Sequence, residues 1–149
     1  MNSKRVLIVD DDEAIIKSLK NLLESEGYMV ETASTGVEAL EKTEENVYDL
    51  ALLDIRLPDI QGTELLAEMH EETPRMMKIM FTGHASLDNA IESLNLGADA
   101  YLTKPARPEE LIKVVKEKLK EQDDAEKIDE KKFEKWMKAR MQKTGKLKE

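Results

Sequence analysis

Short apolar runs alternate with longer stretches of helical periodicity from Arg5 to Leu119. Val6-Leu7-Ile8-Val9, Tyr28-Met29-Val30, Leu50-Ala51-Leu52-Leu53, Ile79-Met80-Phe81 and Ala100-Tyr101-Leu102 each predict a short strand. Several of them lack the polar alternation of a half-exposed strand, which predicts burial on both faces. Between the runs, apolar residues recur at three- and four-residue spacing: Ile15, Leu19, Leu22 and Leu23; Val37 and Leu40; Leu65, Leu66 and Met69; Leu87, Ala90, Ile91 and Leu94; Leu111, Ile112, Val115 and Leu119. Gly27 and Gly97 follow the first and fourth helical patterns, Pro58 and Gly62 break the chain after the third strand, and Pro108 is suited to open the fifth helix. Five strands alternating with five amphipathic helices predict an α/β fold, a doubly wound (βα)₅ parallel sheet with helices on both faces.

Such sheets bind ligands outside the carboxyl ends of their strands. The residues at those ends are Asp10-Asp11-Asp12, Asp54, Thr82-Gly83 and Lys104-Pro105. If Asp10, Asp11 and Asp54 converge, two of their charges at 4 Å repel by about 4 kcal/mol at an effective dielectric of 20, so the cluster needs a cation. Oxygen ligands without sulfur or imidazole suit Mg²⁺. A lysine and a threonine hydroxyl at neighbouring strand ends would add a charge and a hydrogen bond for a phosphate. A carboxylate aided by such a metal is a nucleophile toward phosphoryl groups. Asp12 is expected to cap the first helix rather than bind metal.

Composition narrows the chemistry further. A length of 149 residues predicts one domain with an appendage and no room for a second catalytic domain. Zero cysteines exclude a disulfide scaffold, thiolate metal sites and a cysteine nucleophile, and two histidines cannot build a three-histidine site. No apolar run approaches the ~18 residues of a membrane span, so a cytoplasmic location without membrane contact is expected. Residues 1–121 carry 14 Lys/Arg against 25 Asp/Glu, a poor surface for DNA, whereas residues 122–149 carry 9 against 7.

Four runs in this order carry a resemblance: Val9-Asp10-Asp11-Asp12, Leu53-Asp54 through Gly62, Phe81-Thr82-Gly83-His84 and Leu102-Thr103-Lys104-Pro105. Together they resemble the receiver domain of two-component response regulators, over residues 4 to about 121. The resemblance implies a flavodoxin-like strand order, 2-1-3-4-5. It implies that Asp54 accepts a phosphoryl group from a sensor histidine kinase and that Lys104 pairs with the phosphoryl oxygens. Thr82 would move to hydrogen-bond them, and Tyr101 would follow Thr82 as an aromatic switch. Mg²⁺, with Mn²⁺ able to substitute, would be held by Asp11, Asp54 and the Arg56 backbone carbonyl, with Asp10 acting through water. Arg56, Gly83 and His84 would tune the lifetime of the phosphoryl group. The implied activity is a signalling switch, not an enzyme in the ordinary sense, that assists its own phosphorylation and dephosphorylation. Ala106 stands where a larger apolar residue is frequent in this family, which is expected to loosen the last loop.

Two other readings stay open at this stage. A haloacid-dehalogenase-like phosphatase also uses an aspartyl-phosphate, with its nucleophile after the first strand, although Ala14 breaks that motif here. A receiver-like module that binds a partner without phosphorylation is the other. Residues 1–121 are expected to form the receiver. Residues 122–149 are expected to form a charged helical tail with Ile128, Phe133, Trp136, Met137 and Met141 near helical spacing, a stop at Gly145 and a basic cluster of Arg140, Lys143, Lys146 and Lys148. The downstream protein target is unassigned by the sequence. A homodimer could use the fourth helix, fifth strand and fifth helix, or the tail.

Overall fold

The computed structural model describes residues 3–144. In chain order the elements are β1 (Arg5–Val9), α1 (Glu13–Ser25), β2 (Met29–Ala33), α2 (Gly36–Glu45), β3 (Leu50–Leu53), α3 (Gly62–Glu72), β4 (Met77–Thr82), α4 (Leu87–Asn95), β5 (Ala100–Thr103) and α5 (Pro108–Thr144). All four strand pairings are parallel, and the order is β2-β1-β3-β4-β5. The described residues fall into two compact units, one ending at Leu119 and one beginning at Lys120.

The two-residue period of the strands divides the core of the first unit into two layers. Val6, Ile8, Leu50, Leu52, Ile79 and Phe81 point to one face and pack with Leu19 and Leu23 of α1 and with Leu111, Val115 and Leu119 of α5. Leu7, Val9, Ala51, Leu53 and Met80 point to the other, against Ala39 of α2 and Leu65, Leu66 and Met69 of α3. Both faces of the central strands are therefore apolar, the reason their sequences lack alternation. Each fully buried Leu or Ile side chain contributes about 1.5–3 kcal/mol.

Three local readings change. β2 begins at Met29 and runs on through Glu31 and Thr32, which are only half-buried, because it lies at the sheet edge and pairs with β1 alone. β4 begins two residues earlier than its apolar run, because the run is interrupted by Lys78. That side chain is fully buried, its ammonium donates to the Thr73 carbonyl at 2.7 Å, and burial pulls its pKa down against the opposing charge of Asp99. In α4 the apolar stripe faces solvent: Leu87 is 76% exposed, Ile91 and Leu94 are at least half exposed, and only Ser93 is buried.

Helix boundaries follow the expected punctuation. Asp12 caps α1 by accepting from the Ala14 and Ile15 amides, and Gly27 and Gly97 take positive φ after α1 and α4. Helix α5 continues without interruption through Gln122-Asp123-Asp124 to Thr144, so no break in secondary structure accompanies the expected boundary after residue 121. Gly145, Lys146 and Lys148, and the side chain of Lys143, lie outside the described residues.

Candidate functional site

Hydrogen bonds that extend the sheet ladder by one residue place three of the candidate side chains. The Asp10 amide donates to the Ala33 carbonyl (3.1 Å), the Asp54 amide to the Val9 carbonyl (3.1 Å) and the Lys104 amide to the Thr82 carbonyl (2.8 Å). Asp10, Asp54 and Lys104 are thereby fixed at the carboxyl ends of β1, β3 and β5. The Lys104–Pro105 peptide is cis.

Oxygens of Asp10, Asp11 and Asp54 lie within 4.8 Å of one another. Asp10 and Asp54 are buried, at 3% and 6% exposure, whereas Asp11 is open to solvent. The Lys104 ammonium donates to Asp54 Oδ2 at 3.0 Å and to Asp10 Oδ2, and it lies 5.5 Å from the centre of the Phe81 ring. The second oxygen of Asp10 accepts from the Asp12 amide at 3.0 Å, and that of Asp54 from the Arg56 amide at 3.4 Å. Burial raises the Asp10 pKa, and the hydrogen bond from Lys104 offsets that only in part. Burial acts to lower the pKa of the Lys104 ammonium, but its bonds to the two carboxylates outweigh this and the net shift is upward.

Three carboxylates against one ammonium leave two negative charges in a pocket that water reaches through Asp11. The donor set is all oxygen. Both properties fit a hard divalent cation such as Mg²⁺, held in part by waters.

The loop after β3 is shaped by glycine. A Cβ on Gly62 would come within 1.9 Å of the Asp54 carbonyl oxygen, so only glycine lets the start of α3 lie against the backbone of Asp54. In the same loop Arg56 pairs with Gln61 in an isolated antiparallel bridge, and its side chain is exposed. Asp59 accepts from the Gly36 and Val37 amides at 2.8 and 2.9 Å, and these bonds hold its carboxyl below the usual carboxylate range.

Thr82 is fully buried at the end of β4, and its hydroxyl oxygen accepts from the His84 amide at 3.0 Å. Gly83 and His84 are exposed, and the nearest atom to a Cβ on Gly83 would be Lys104 Cβ at 4.0 Å, so the space over Lys104 is open. Ala106 lines a cleft of about 270 Å³ together with Ile15, Leu19, Phe81, Lys104 and Pro105. Tyr101 is half-buried, and its hydroxyl donates to Asn89 Oδ1.

Asn89 is a residue that sequence reasoning passed over. Its side chain also accepts from the Ser86 amide (3.1 Å) and donates to the His84 carbonyl (2.8 Å), while its own amide donates to Ser86 Oγ (3.1 Å). It closes the capping box of α4 and joins Tyr101 to the β4–α4 loop. The signal was present as Ser86-x-x-Asn89 just before a helical pattern.

A five-stranded 2-1-3-4-5 sheet with an Asp/Asp/Asp/Lys cluster at its carboxyl edge defines a receiver-type signalling switch. The family comparison agrees: the chain belongs to the response regulator receiver domain family, whose description matches residues 6–116. It is 38% identical over 110 residues to the alginate biosynthesis transcriptional regulatory protein AlgB of Pseudomonas putida, covering 74% of this chain and 25% of that protein. It is 40% identical over 114 residues to the alkaline phosphatase synthesis transcriptional regulatory protein PhoP of Bacillus subtilis, covering 76% and 48%. The chain thus spans about a quarter to a half of the length of these relatives. Among solved structures, a CheY-like receiver domain protein from Methanospirillum hungatei JF-1 superposes with a TM-score of 0.82 at 55% identity, covering 83% of this chain and 99% of that one. Domains of this family are phosphorylated by sensor kinases and generally bind Mg²⁺ in an acidic pocket. Among the described residues no helix is long and apolar enough to cross a membrane.

Proposed function

We propose that this chain is a phosphorylation-driven switch in which Asp54 receives a phosphoryl group from a sensor histidine kinase. The observation that carries the reading is the Lys104 ammonium bridging Asp10 and Asp54 beside Asp11, at the strand ends where this fold binds ligands. An Asp54 carboxylate oxygen forms a bond to phosphorus as the P–N bond of a phosphohistidine breaks, and the electron pair leaves with the imidazole. Asp11, Asp54 and the Arg56 carbonyl would hold Mg²⁺, with Asp10 acting through water. The metal would supply neutralisation of the charge shared by the carboxylates and the phosphoryl oxygens.

The chain's own groups do the rest. Lys104, already at hydrogen-bond distance from Asp54, meets the added phosphoryl charge, and its release from Asp10 is the local cost of that move. Thr82 exchanges its bond with the His84 amide for one to the phosphoryl group, which opens space beside Tyr101. Tyr101 then gives up Asn89, so the change at Asp54 reaches the first turn of α4. Arg56, Gly83 and His84 border the route of an attacking water and set how long the aspartyl-phosphate lasts, with the chain assisting its own dephosphorylation. The partner for transfer is the kinase, and the output is a protein contact in the cytoplasm rather than direct DNA binding by an acidic surface. Residues 1–121 are assigned to this switch and residues 122–149 to an appended tail.

Phosphotransfer from a labelled histidine kinase tests the reading. Wild type is expected to take up label only with Mg²⁺ present, and Asp54→Asn to take up none. Full labelling of that variant, or undiminished labelling in EDTA, overturns it.

A further inference from the structure

Charge along residues 120–142 of α5 is sharply divided. Residues 120–130 hold six Asp/Glu against two Lys, whereas residues 131–142 hold five Lys/Arg against one Glu. A helix favours cations in its last turn, but that preference fades within one turn and does not account for basic residues spread over three. Two such helices side by side in parallel would set like charges together, whereas an antiparallel pair sets the acidic half of each against the basic half of the other.

One face of this helix is also suited to contact. Phe133 and Trp136 stack with ring centroids 6.1 Å apart, and the Arg140 guanidinium lies 5.2 Å from the Trp136 ring. Both rings are more than half exposed, as is Ile128. The strip continues toward the N-terminus at helical spacing through Asp129 and Ala125. Its basic, aromatic half and its acidic, small half are therefore different ends of the same face.

We propose that two copies of this chain associate through residues 120–142 as an antiparallel helix pair, with the Phe133–Trp136–Arg140 strip of each copy against the Ala125–Glu126–Asp129 segment of the other. A two-fold axis between Lys132 and Phe133 sets Trp136 level with the partner's Asp129 and Arg140 level with the partner's Ala125. Arg140 then lies one residue from the level of the partner's Glu126, and the small Ala125 leaves room for the large groups opposite. The contact is isologous and closes on itself, so it yields dimers and not chains.

Sedimentation of the full chain over a concentration series tests this. A monomer–dimer equilibrium is expected that weakens as salt is raised. Lys135→Glu with Lys138→Glu and Arg140→Glu should weaken it at least about tenfold, as should Asp124→Lys with Glu126→Lys and Asp129→Lys. Mixing the two triple variants should restore association. A chain that stays monomeric throughout overturns the proposal, as does a dimer indifferent to both sets of changes, which would assign association to another surface.

Direction is tested by disulfide trapping, because the chain has no cysteine of its own. In the antiparallel pair Ala125→Cys of one copy approaches Ala139→Cys of the other, whereas either variant paired with itself holds its thiols roughly 20 Å apart along the axis. Cross-linking is expected only in the mixture. Efficient cross-linking of either variant alone overturns the antiparallel arrangement.

Discussion

Lys104→Met removes the ammonium that bridges Asp10 and Asp54 while keeping most of the side chain's volume. At 3.0 Å and an effective dielectric of ~20, the Lys104–Asp54 attraction is about 5–6 kcal/mol before desolvation, and Asp10 adds a similar contact. Without the ammonium, carboxylate oxygens that lie within 4.8 Å of one another repel by at least about 3–4 kcal/mol per pair on the same basis. Breaking a buried pair from one side costs about 3–5 kcal/mol. The Lys104 side chain is 13% exposed and Asp11 is open to water, so we expect a loss of about 2–4 kcal/mol in folding stability. The assay is urea unfolding in EDTA near neutral pH. Magnesium should then stabilise the variant more than wild type, because the pocket charge becomes −3 instead of −2. A doubly charged ion about 4–5 Å from the lost ammonium gains ~2 kcal/mol even at the dielectric of water, equivalent to at least about tenfold tighter binding. Asp11→Ala should behave oppositely, with metal affinity lost and the metal-free fold little changed. A Lys104→Met variant within about 0.5 kcal/mol of wild type in EDTA, or equal stabilisation of both by magnesium, would refute the reasoning.

Other outcomes follow from single contacts. Gly62→Ala places a methyl 1.9 Å from the Asp54 carbonyl oxygen and should destabilise by about 3 kcal/mol or more, read by thermal unfolding, and slow phosphotransfer by displacing Asp54. Asn89→Ala removes the α4 capping box and the Tyr101 partner, so it should cost about 1 kcal/mol and reduce the α4 chemical-shift changes caused by beryllofluoride, while phosphotransfer to Asp54 persists. Burial, with the Glu31 carboxylate adding to it, pushes the Tyr48 phenol up to about 12. The raised folded value means its contribution to stability is present below the ordinary tyrosine pKa near 10 and disappears as pH rises toward about 12. Absorbance titration should show a late phenolate step that Tyr48→Phe removes, and an unchanged curve would contradict that assignment.

Strand ends were legible because an apolar run stops there, and the polar candidate residues stand at the stop or just beyond it. Asp10, Asp54, Thr82 and Lys104 all lie within one residue of a strand's last position. What misled the pattern was a charged residue that is buried and apolar residues that are exposed. Lys78 interrupts an apolar run yet is buried, because its ammonium reaches the Thr73 carbonyl from inside the sheet layer. Leu87, Ile91 and Leu94 have core-like spacing yet face solvent, since periodicity reports that a helix has an apolar face and not what that face meets. The cap at Asn89 was readable as Ser86-x-x-Asn89, but its bond to Tyr101 joins residues twelve apart, a relation that local spacing does not encode. Gly62 was readable as a turn, but its approach to the Asp54 carbonyl is a tertiary contact visible only once α3 is placed.

The most direct test of the central claim is to locate the phosphoryl group itself. Protein treated with acetyl phosphate and Mg²⁺, reduced with borohydride and digested, should carry the trapped modification at Asp54, at one site per chain, and Asp54→Asn or EDTA should abolish it. Modification at Asp10 would support phosphatase-type chemistry, and a chain that takes up no phosphoryl group under these conditions would be a binding module. Either result contradicts the account.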